Sequence, residues 1–277
     1  MSQSAAALAP LPFELVYDDG EPLETEWHTL EYPFLRELIG QVMAEQGRID
    51  FYTGGHMFVY YSVEQAREVS EEMRKGLPWR AFRGPDVFWV GGVDPDRERR
   101  VWIAWEEGGR LPDLIVELLS PSTAHKDRTE KRDLYARVFR AAEYFLYDPE
   151  TREIEGLRLA GRFYQPIPPD ENGRIWSEQL GVSFGIWHGV VGQRMGDWVR
   201  LFHRDGTLVP TREEAQYQRA EAEREQAAAE RQRADAERQR AEAASERAEA
   251  ERQRAEAAEA ELARLRALLD ERGAPAD

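Results

Sequence analysis

The sequence predicts an α/β (α+β) domain with a mixed central sheet flanked by helices, followed by a long C-terminal α-helix. Up to residue 208, short apolar segments alternate with amphipathic ones, as in domains that layer helices on a sheet. After Pro210 the chain consists almost entirely of Ala, Glu, Arg and Gln, most of which favour helices. The 277 residues, 42% of them hydrophobic, suffice for a packed domain with additional material or for two small domains. We therefore expect a disordered N-terminus at 1–11, a folded domain at 12–208 and a helix at 211–272.

The folded part begins with a helix in TLEYPFLRELIGQVMAEQG, where Leu30, Phe34, Leu38 and Val42 recur at helical spacing. Four strands follow in HMFVYYS, RGPDVFWVGG, RVWIAW and PDLIVELLS. HKDRTEKRDLYARVFRAA predicts an amphipathic helix, AEYFLYDPE a strand, and EIEGLRLAGRFYQPI a hairpin. The order of helix, four strands, helix, strand and hairpin favours a mixed sheet with helices packed against it.

The C-terminal segment predicts a helix near 90 Å long, since about 60 residues each rise roughly 1.5 Å. Oppositely charged residues lie one turn apart, as in Arg233 with Glu237 and Arg252 with Glu256. Alanine or leucine recurs every seven residues, as at the a position of a coiled coil, but the matching d positions are mostly glutamate. Only LARLRALL places leucines at both positions: Leu262, Leu265 and Leu269. The segment is therefore either a solvated single helix or a helix that binds itself or a partner helix at its leucine-rich end.

Composition limits the classes of function. Cysteine is absent, which excludes disulfides, zinc–thiolate sites and cysteine nucleophiles, and which fits a cytoplasmic protein. No apolar run reaches the roughly 18 residues that span a bilayer, and the N-terminus lacks the basic start of a signal peptide. The net charge of −16 disfavours non-specific binding of nucleic acid, because phosphate contacts need lysine and arginine. Arg97, Arg99 and Arg100 form a basic cluster, which we interpret as a solvated hairpin tip rather than a phosphate contact.

Two carboxylates interrupt an apolar strand in PDLIVELLS. Side chains alternate across a strand, so Asp113 and Glu117 are expected on one face. A third acid, Asp86, precedes the similar strand in GPDVFWV. Buried carboxylates are costly unless they are paired, and acids from adjacent strands repel each other. A divalent cation between Asp86 and Glu117 would remove that repulsion.

A lysine is expected to face the same acids. Asp127, Lys131, Leu134, Tyr135 and Val138 follow one helical stripe, which places Lys131 toward the sheet rather than toward solvent. A lysine beside two acids and a metal can orient a water molecule or stabilise charge that develops on a phosphate. We therefore expect Asp86, Glu117 and Lys131 to form a catalytic group, with Asp113, Asp127 and Tyr135 as possible additional members.

These motifs resemble the Uma-type restriction endonucleases of the PD-(D/E)XK nuclease superfamily. The resemblance rests on GPDVFWV, PDLIVELLSPST, the D-x-x-x-K-x-x-x-Y helix and AEYFLYDPE in that order, and it extends over about residues 17–208. It implies a restriction-endonuclease-like fold, with Asp86 as the PD aspartate and Glu117 as the acid of the (D/E)XK strand. Leu119 stands where the superfamily has its lysine. The Uma-type pattern supplies a lysine from the following helix, where Lys131 matches.

The resemblance has further implications for the site and the activity. Lys126 is a weaker substitute for the lysine, and Glu31, with Glu24 behind it, is the candidate for the helix glutamate that often completes such sites. The implied function is metal-dependent cleavage of DNA phosphodiester bonds, with Mg²⁺ or Mn²⁺ held by Asp86 and Glu117. A homodimer would place two such sites on two DNA strands. The alternative is a catalytically silent nuclease-like scaffold that oligomerises through its C-terminal helix. The net negative charge of the chain favours this alternative.

Overall fold

A computed structural model describes residues 11–15, 26–76, 84–121 and 123–273. The predicted disordered N-terminus lies outside the described residues except for Leu11, and Glu24 lies outside them as well. The chain divides into two compact units, Met1–Arg212 and Glu213–Asp277. Within the described residues, no helix is both long enough and apolar enough to cross a membrane.

A mixed six-stranded sheet forms the centre of the first unit, as predicted. Its strand order is β1-β3-β5-β6-β7-β8, and only the neighbours β5 and β6 run parallel. A second sheet has the order β11-β10-β9, and β2 pairs with β4 in a short parallel ladder. The strands are β1 Phe51–Gly54, β2 Val59–Tyr60, β3 Val87–Gly91, β4 Trp102–Ile103, β5 Leu114–Leu118, β6 Glu143–Asp148, β7 Glu153–Ala160, β8 Phe163–Pro166, β9 Ile175–Ser177, β10 Val182–Val191 and β11 Arg194–Phe202.

Helices cover both faces of the central sheet, with α1 (Glu26–Glu45) on one face and α3 (124–139) on the other. The other helices are α2 Val63–Arg74 and the C-terminal α4 Arg212–Gly273. The α3 helix is irregular, because α-helical turns at Ala124–Lys126 and Arg132–Leu134 alternate with wider π-helical turns at Asp127–Lys131 and Tyr135–Phe139. It ends at Arg140, whose backbone is left-handed with φ of 55°.

The two faces of β5 contribute to different parts of the core. Leu114, Val116 and Leu118 pack with the apolar residues of α1 and of the second sheet. Ile115 packs on the other side with Tyr135 of α3. This alternation is the one that the sequence predicts, and it directs Glu117 toward α3.

Several elements differ from the sequence-based expectation. HMFVYYS contributes only two strand residues, because Ser62 accepts a hydrogen bond from the Gln65 backbone N–H and thereby caps the unpredicted helix α2. The S-x-x-Q pattern of a capping box was the available signal. RVWIAW likewise contributes two strand residues before a 3₁₀ turn. Strand β1 and the whole second sheet were not predicted.

The C-terminal helix is continuous over Arg212–Gly273, as predicted. From Gln216 to its last described side chain at 266, its side chains are all exposed, including Leu262 at 56% and Leu265 at 49%. Arg252 and Glu256 form an ion pair of 3.4 Å one turn apart.

Candidate active site

Two of the predicted acids lie side by side on neighbouring strands. Val87 of β3 is paired with Val116 of β5, so Asp86 lies next to Glu117. Leu118 donates its backbone N–H to Asp86 Oδ2 at 2.7 Å, and Asp86 donates its own N–H to Glu117 Oε2 at 3.3 Å. The side chain of Glu117 is fully buried, whereas that of Asp86 is 21% exposed. The pair therefore presents one accessible carboxylate in front of one buried carboxylate.

Lys131 reaches this pair from α3. Its Nζ lies 3.1 Å from Glu117 Oε1 and 2.8 Å from Asp127 Oδ1, and its side chain is only 13% exposed. The apolar stripe on the helix predicted this inward orientation. Lys131 thus links two buried carboxylates, one on a strand and one on its own helix.

Two tyrosines complete the contacts around the buried acids. Tyr135 donates its hydroxyl to Glu117 Oε1 at 2.8 Å, and Tyr144 donates its hydroxyl to the backbone carbonyl of Asp127 at 3.0 Å. Both rings are buried, and they contact each other edge to face. These hydroxyls hold Glu117 and the first turns of α3 in place.

Burial and charge shift the pKa values in this group. Burial, helped by the neighbouring Asp86 and Asp127, raises the pKa of Glu117 well above its ordinary value, while Lys131 opposes that rise. Burial by itself would lower the pKa of Lys131, but Glu117, Asp86 and Asp127 together raise it above its ordinary value. Lys131 is therefore a cation at neutral pH.

The charges and donors fit a divalent cation. Asp86, Glu117 and Asp127, when ionised, carry three negative charges against the single ammonium of Lys131, which leaves an excess of two. Carboxylate oxygens suit Mg²⁺ or Mn²⁺, and Mg²⁺ typically takes one or two protein carboxylates and keeps water or phosphate oxygens as its other ligands. Among the described residues, no group of three or more His, Cys, Asp or Glu could hold a metal ion. The pair of carboxylates that could hold such an ion is Asp86, which is partly exposed, and Glu117, which is buried.

Two histidines adjoin the acids, and sequence reasoning missed both. His56 Nδ1 lies 3.8 Å from Asp86 Oδ1, and its ring meets Tyr32 edge to face at 4.7 Å. His28 is buried, and its Nε2 lies 2.9 Å from the carbonyl oxygen of Leu118. No local pattern could have found them, because their partners Asp86 and Leu118 are far away in the sequence.

Other predicted residues have different described contacts. Asp113 is at the opposite end of β5, where its Oδ2 accepts the backbone N–H of Gly91 at 2.8 Å. Glu31 is buried against β11, where its Oε1 accepts the backbone N–H of Val199 at 3.1 Å, and burial raises its pKa. Lys126, the weaker candidate for the lysine, is half-buried in the first turn of α3. The lysine whose ammonium contacts Glu117 and Asp127 is Lys131. The structure thus brings together Asp86, Glu117, Asp127, Lys131 and Tyr135.

Two arginines of the 97–100 cluster, Arg97 and Arg99, contact acidic or aromatic groups. The side chain of Arg99 is 2% exposed, donates to Glu107 at 2.9 Å, and lies over the rings of Tyr52 and Trp102. Arg97 Nη2 is 2.6 Å from an oxygen of Glu106. The expected solvated hairpin tip is therefore wrong: the Arg99 side chain is buried, and the segment does not close a hairpin, because β3 pairs with β1 and β5 whereas β4 pairs with β2.

Part of the chain is similar to a known protein family. Residues 56–192 match the model of the Uma2 family, which is described as "Putative restriction endonuclease". A crystal structure from Anabaena variabilis ATCC 29413, described as "a putative nuclease belonging to DUF820", is 13% identical over 59% of this chain and 81% of that chain, with a TM-score of 0.40. No curated protein matches the chain. The matched segment contains Asp86, Glu117 and Lys131, and over residues 56–192 the chain is similar to the Uma2 family of putative restriction endonucleases.

Proposed function

We propose that this protein is an endonuclease that hydrolyses DNA phosphodiester bonds with a divalent metal ion, Mg²⁺ or Mn²⁺. The observation that carries the proposal is the convergence of Asp86 and Glu117 from adjacent strands with Lys131 from α3. The family match supports nuclease activity in general. When all three acids are ionised, the excess negative charge supports the metal, because a divalent cation would balance it and would hold Glu117 in its ionised form against the effect of burial.

Each residue has a defined task in this proposal. Asp86 and Glu117 would hold the metal, which when bound supplies a water molecule of lowered pKa and an electrophilic contact for the phosphate. Lys131 keeps its proton and stabilises the negative charge that develops on the phosphate. Tyr135 donates to Glu117 Oε1, and Asp127 fixes the ammonium of Lys131, so both act as positioning residues.

The acidic charge of the chain restricts how DNA is bound. A net charge of −16 gives little non-specific attraction to phosphate. A bound divalent cation would offset the two excess charges at the site, so metal is expected to be needed for DNA binding as well as for chemistry. The absence of cysteine supports a cytoplasmic location for this activity.

Plasmid cleavage tests the proposal directly. Supercoiled plasmid with Mg²⁺ or Mn²⁺ is expected to be nicked by the unaltered protein, and Glu117→Gln or Asp86→Asn should lower the rate at least about a hundred-fold, as loss of a positioned charged group does. The matched control is Asp133→Asn on α3, because that carboxylate is 64% exposed and pairs only at 3.5 Å with Arg137. Equal rates in all four proteins would rule out this site. No cleavage by any of them would favour the nuclease-like scaffold.

Thermal unfolding tests metal binding without reference to cleavage. Mn²⁺ at about 100 times its Kd is expected to raise Tm by roughly 5–10 °C, because binding to the folded state alone adds about 2.7 kcal/mol. Asp86→Asn should remove this shift, and Asp133→Asn should keep it. A shift of the same size in Asp86→Asn would show that the ion binds elsewhere.

A further inference from the structure

The C-terminal helix α4 has a nearly uniform polar surface except at its end. For most of its length the seven-residue repeat places alanine at a, glutamate at d, and arginine at many e and g positions. Leu262 and Leu265 stand at a and d, remain 56% and 49% exposed, and are followed in the sequence by a further a-position leucine, Leu269. Exposed leucines at a/d spacing on an otherwise polar helix mark a contact surface.

The charges beside these leucines complement a second copy of the same helix. In a parallel pair of helices, each g residue faces the e residue of the next heptad on the partner. Arg254 would face Glu259 of the second copy, and Glu261 would face Arg266. Both pairs join opposite charges. Because the dimer is symmetric, each pair occurs twice, which gives four interhelical ion pairs. In an antiparallel pair that places Leu262 against Leu265 of the second copy, the only oppositely charged pairing would be Glu259 with Arg266. The parallel pair forms two kinds of ion pair instead of one, so the charge pattern favours the parallel arrangement.

The part of α4 before residue 254 disfavours parallel pairing of two helices. Upstream of residue 254 three pairings of g with e would join arginine to arginine, and several glutamates would meet at d. Like charges at these positions repel, so the helices are expected to stay apart there. The like-charged pairings are Arg219 with Arg224, Arg233 with Arg238 and Arg247 with Arg252.

We infer that the chain forms a parallel homodimer through a short zipper at residues 254–266 of α4, with the preceding part of the helix unpaired. The leucines at a and d supply the apolar contact, and the four interhelical ion pairs set the orientation. Because only about two heptads take part, the dimer is weak and depends on concentration. This inference does not rest on the proposed nuclease activity.

Sedimentation of the full-length chain over a concentration series tests it. The unaltered protein should shift from monomer to dimer as concentration rises. Glu259→Arg places arginine opposite Arg254 of the second copy and should raise the Kd of the dimer about ten-fold. The change removes two exposed ion pairs and adds two repulsions, each of which contributes a small free energy. The same change gains an attraction to Glu256 one turn before it, so loss of helix cannot explain the result. Adding Arg254→Glu should restore dimerisation, because the pair then has opposite charges again.

Single-cysteine crosslinking tests the orientation, since the chain has no cysteine of its own. Ala258→Cys at a d position should form an intermolecular disulfide under mild oxidation, because a parallel pair places the two copies of residue 258 face to face. Ala260→Cys at the outer f position is the control and should not crosslink. A chain that is monomeric at every concentration overturns the inference. So does a dimer that Glu259→Arg leaves unchanged, or one in which both cysteines crosslink alike.

Discussion

Replacing Lys131 with methionine is expected to lower the free energy of unfolding by about 3–5 kcal/mol, the usual effect of removing one partner from a buried ion pair. The loss is large because Glu117 and Asp127 are buried and both contact the Lys131 ammonium. The same change should reduce DNA cleavage by about 10²–10³-fold, since the phosphate loses a fixed positive charge. Urea unfolding followed by tryptophan fluorescence, together with plasmid nicking, measures both effects.

A surface lysine and a double variant separate the two effects of Lys131→Met. Lys75 is 55% exposed and pairs with Glu71 at 3.3 Å, so Lys75→Met should cost less than about 1 kcal/mol. Adding Glu117→Gln to Lys131→Met should recover part of the stability, because only Asp127 then remains as a buried unpaired acid. Cleavage should not recover. A double variant no more stable than Lys131→Met would contradict the ion-pair explanation.

The second large effect is expected at Glu143, which sequence reasoning did not single out. Its carboxylate is 1% exposed and accepts the N–H of Glu178 at 2.8 Å, a guanidinium N–H of Arg158 at 3.0 Å, and the hydroxyl of Ser177. It thereby joins β6 of the central sheet to β7 and to the turn after β9. Glu143→Ala should lower the free energy of unfolding by about 3–5 kcal/mol, because it leaves several donors unsatisfied.

The control for Glu143 is Glu153→Ala, an exposed acid at the start of β7. It should change the free energy of unfolding by about 0.5 kcal/mol or less in the same urea experiment. Below its Tm, Glu143→Ala should cleave DNA at the unaltered rate, since Glu143 lies at the start of β6, away from the Asp86–Glu117 pair. Loss of activity in a folded Glu143→Ala protein would show that the two regions are coupled.

Local patterns were sufficient to predict the central part of the candidate site. Alternation along β5 predicted the face of Glu117, and the helical stripe predicted the inward position of Lys131. The same alternation placed Asp113 on that face but could not show that only the far end of the strand meets Asp86. Four residues of extended chain separate Asp113 from Glu117 by roughly 13 Å.

Contacts between distant segments could not be predicted from one sequence. His28 meets Leu118, Glu31 meets Val199, and Glu143 meets Ser177, each across many intervening residues. Which chain segments adjoin depends on the order of strands, and that order has no local signature. The second sheet was missed for a different reason: β10 and β11 are ten and nine residues long, but their buried and exposed positions do not alternate strictly.

The irregular winding of α3 has a consequence for the group around Glu117. Asp127, Lys131 and Tyr135 are spaced by four residues, and an ordinary helix with about 3.6 residues per turn would rotate each successive one further to the same side. The wider π turn at Asp127–Lys131 offsets part of that rotation, and Lys131 and Tyr135 both contact Glu117 while Lys131 also contacts Asp127. The pitch of this helix is therefore as much a determinant of the group as its residues are. If the same segment formed a regular α-helix throughout, the ammonium of Lys131 and the phenol of Tyr135 would point toward different neighbours.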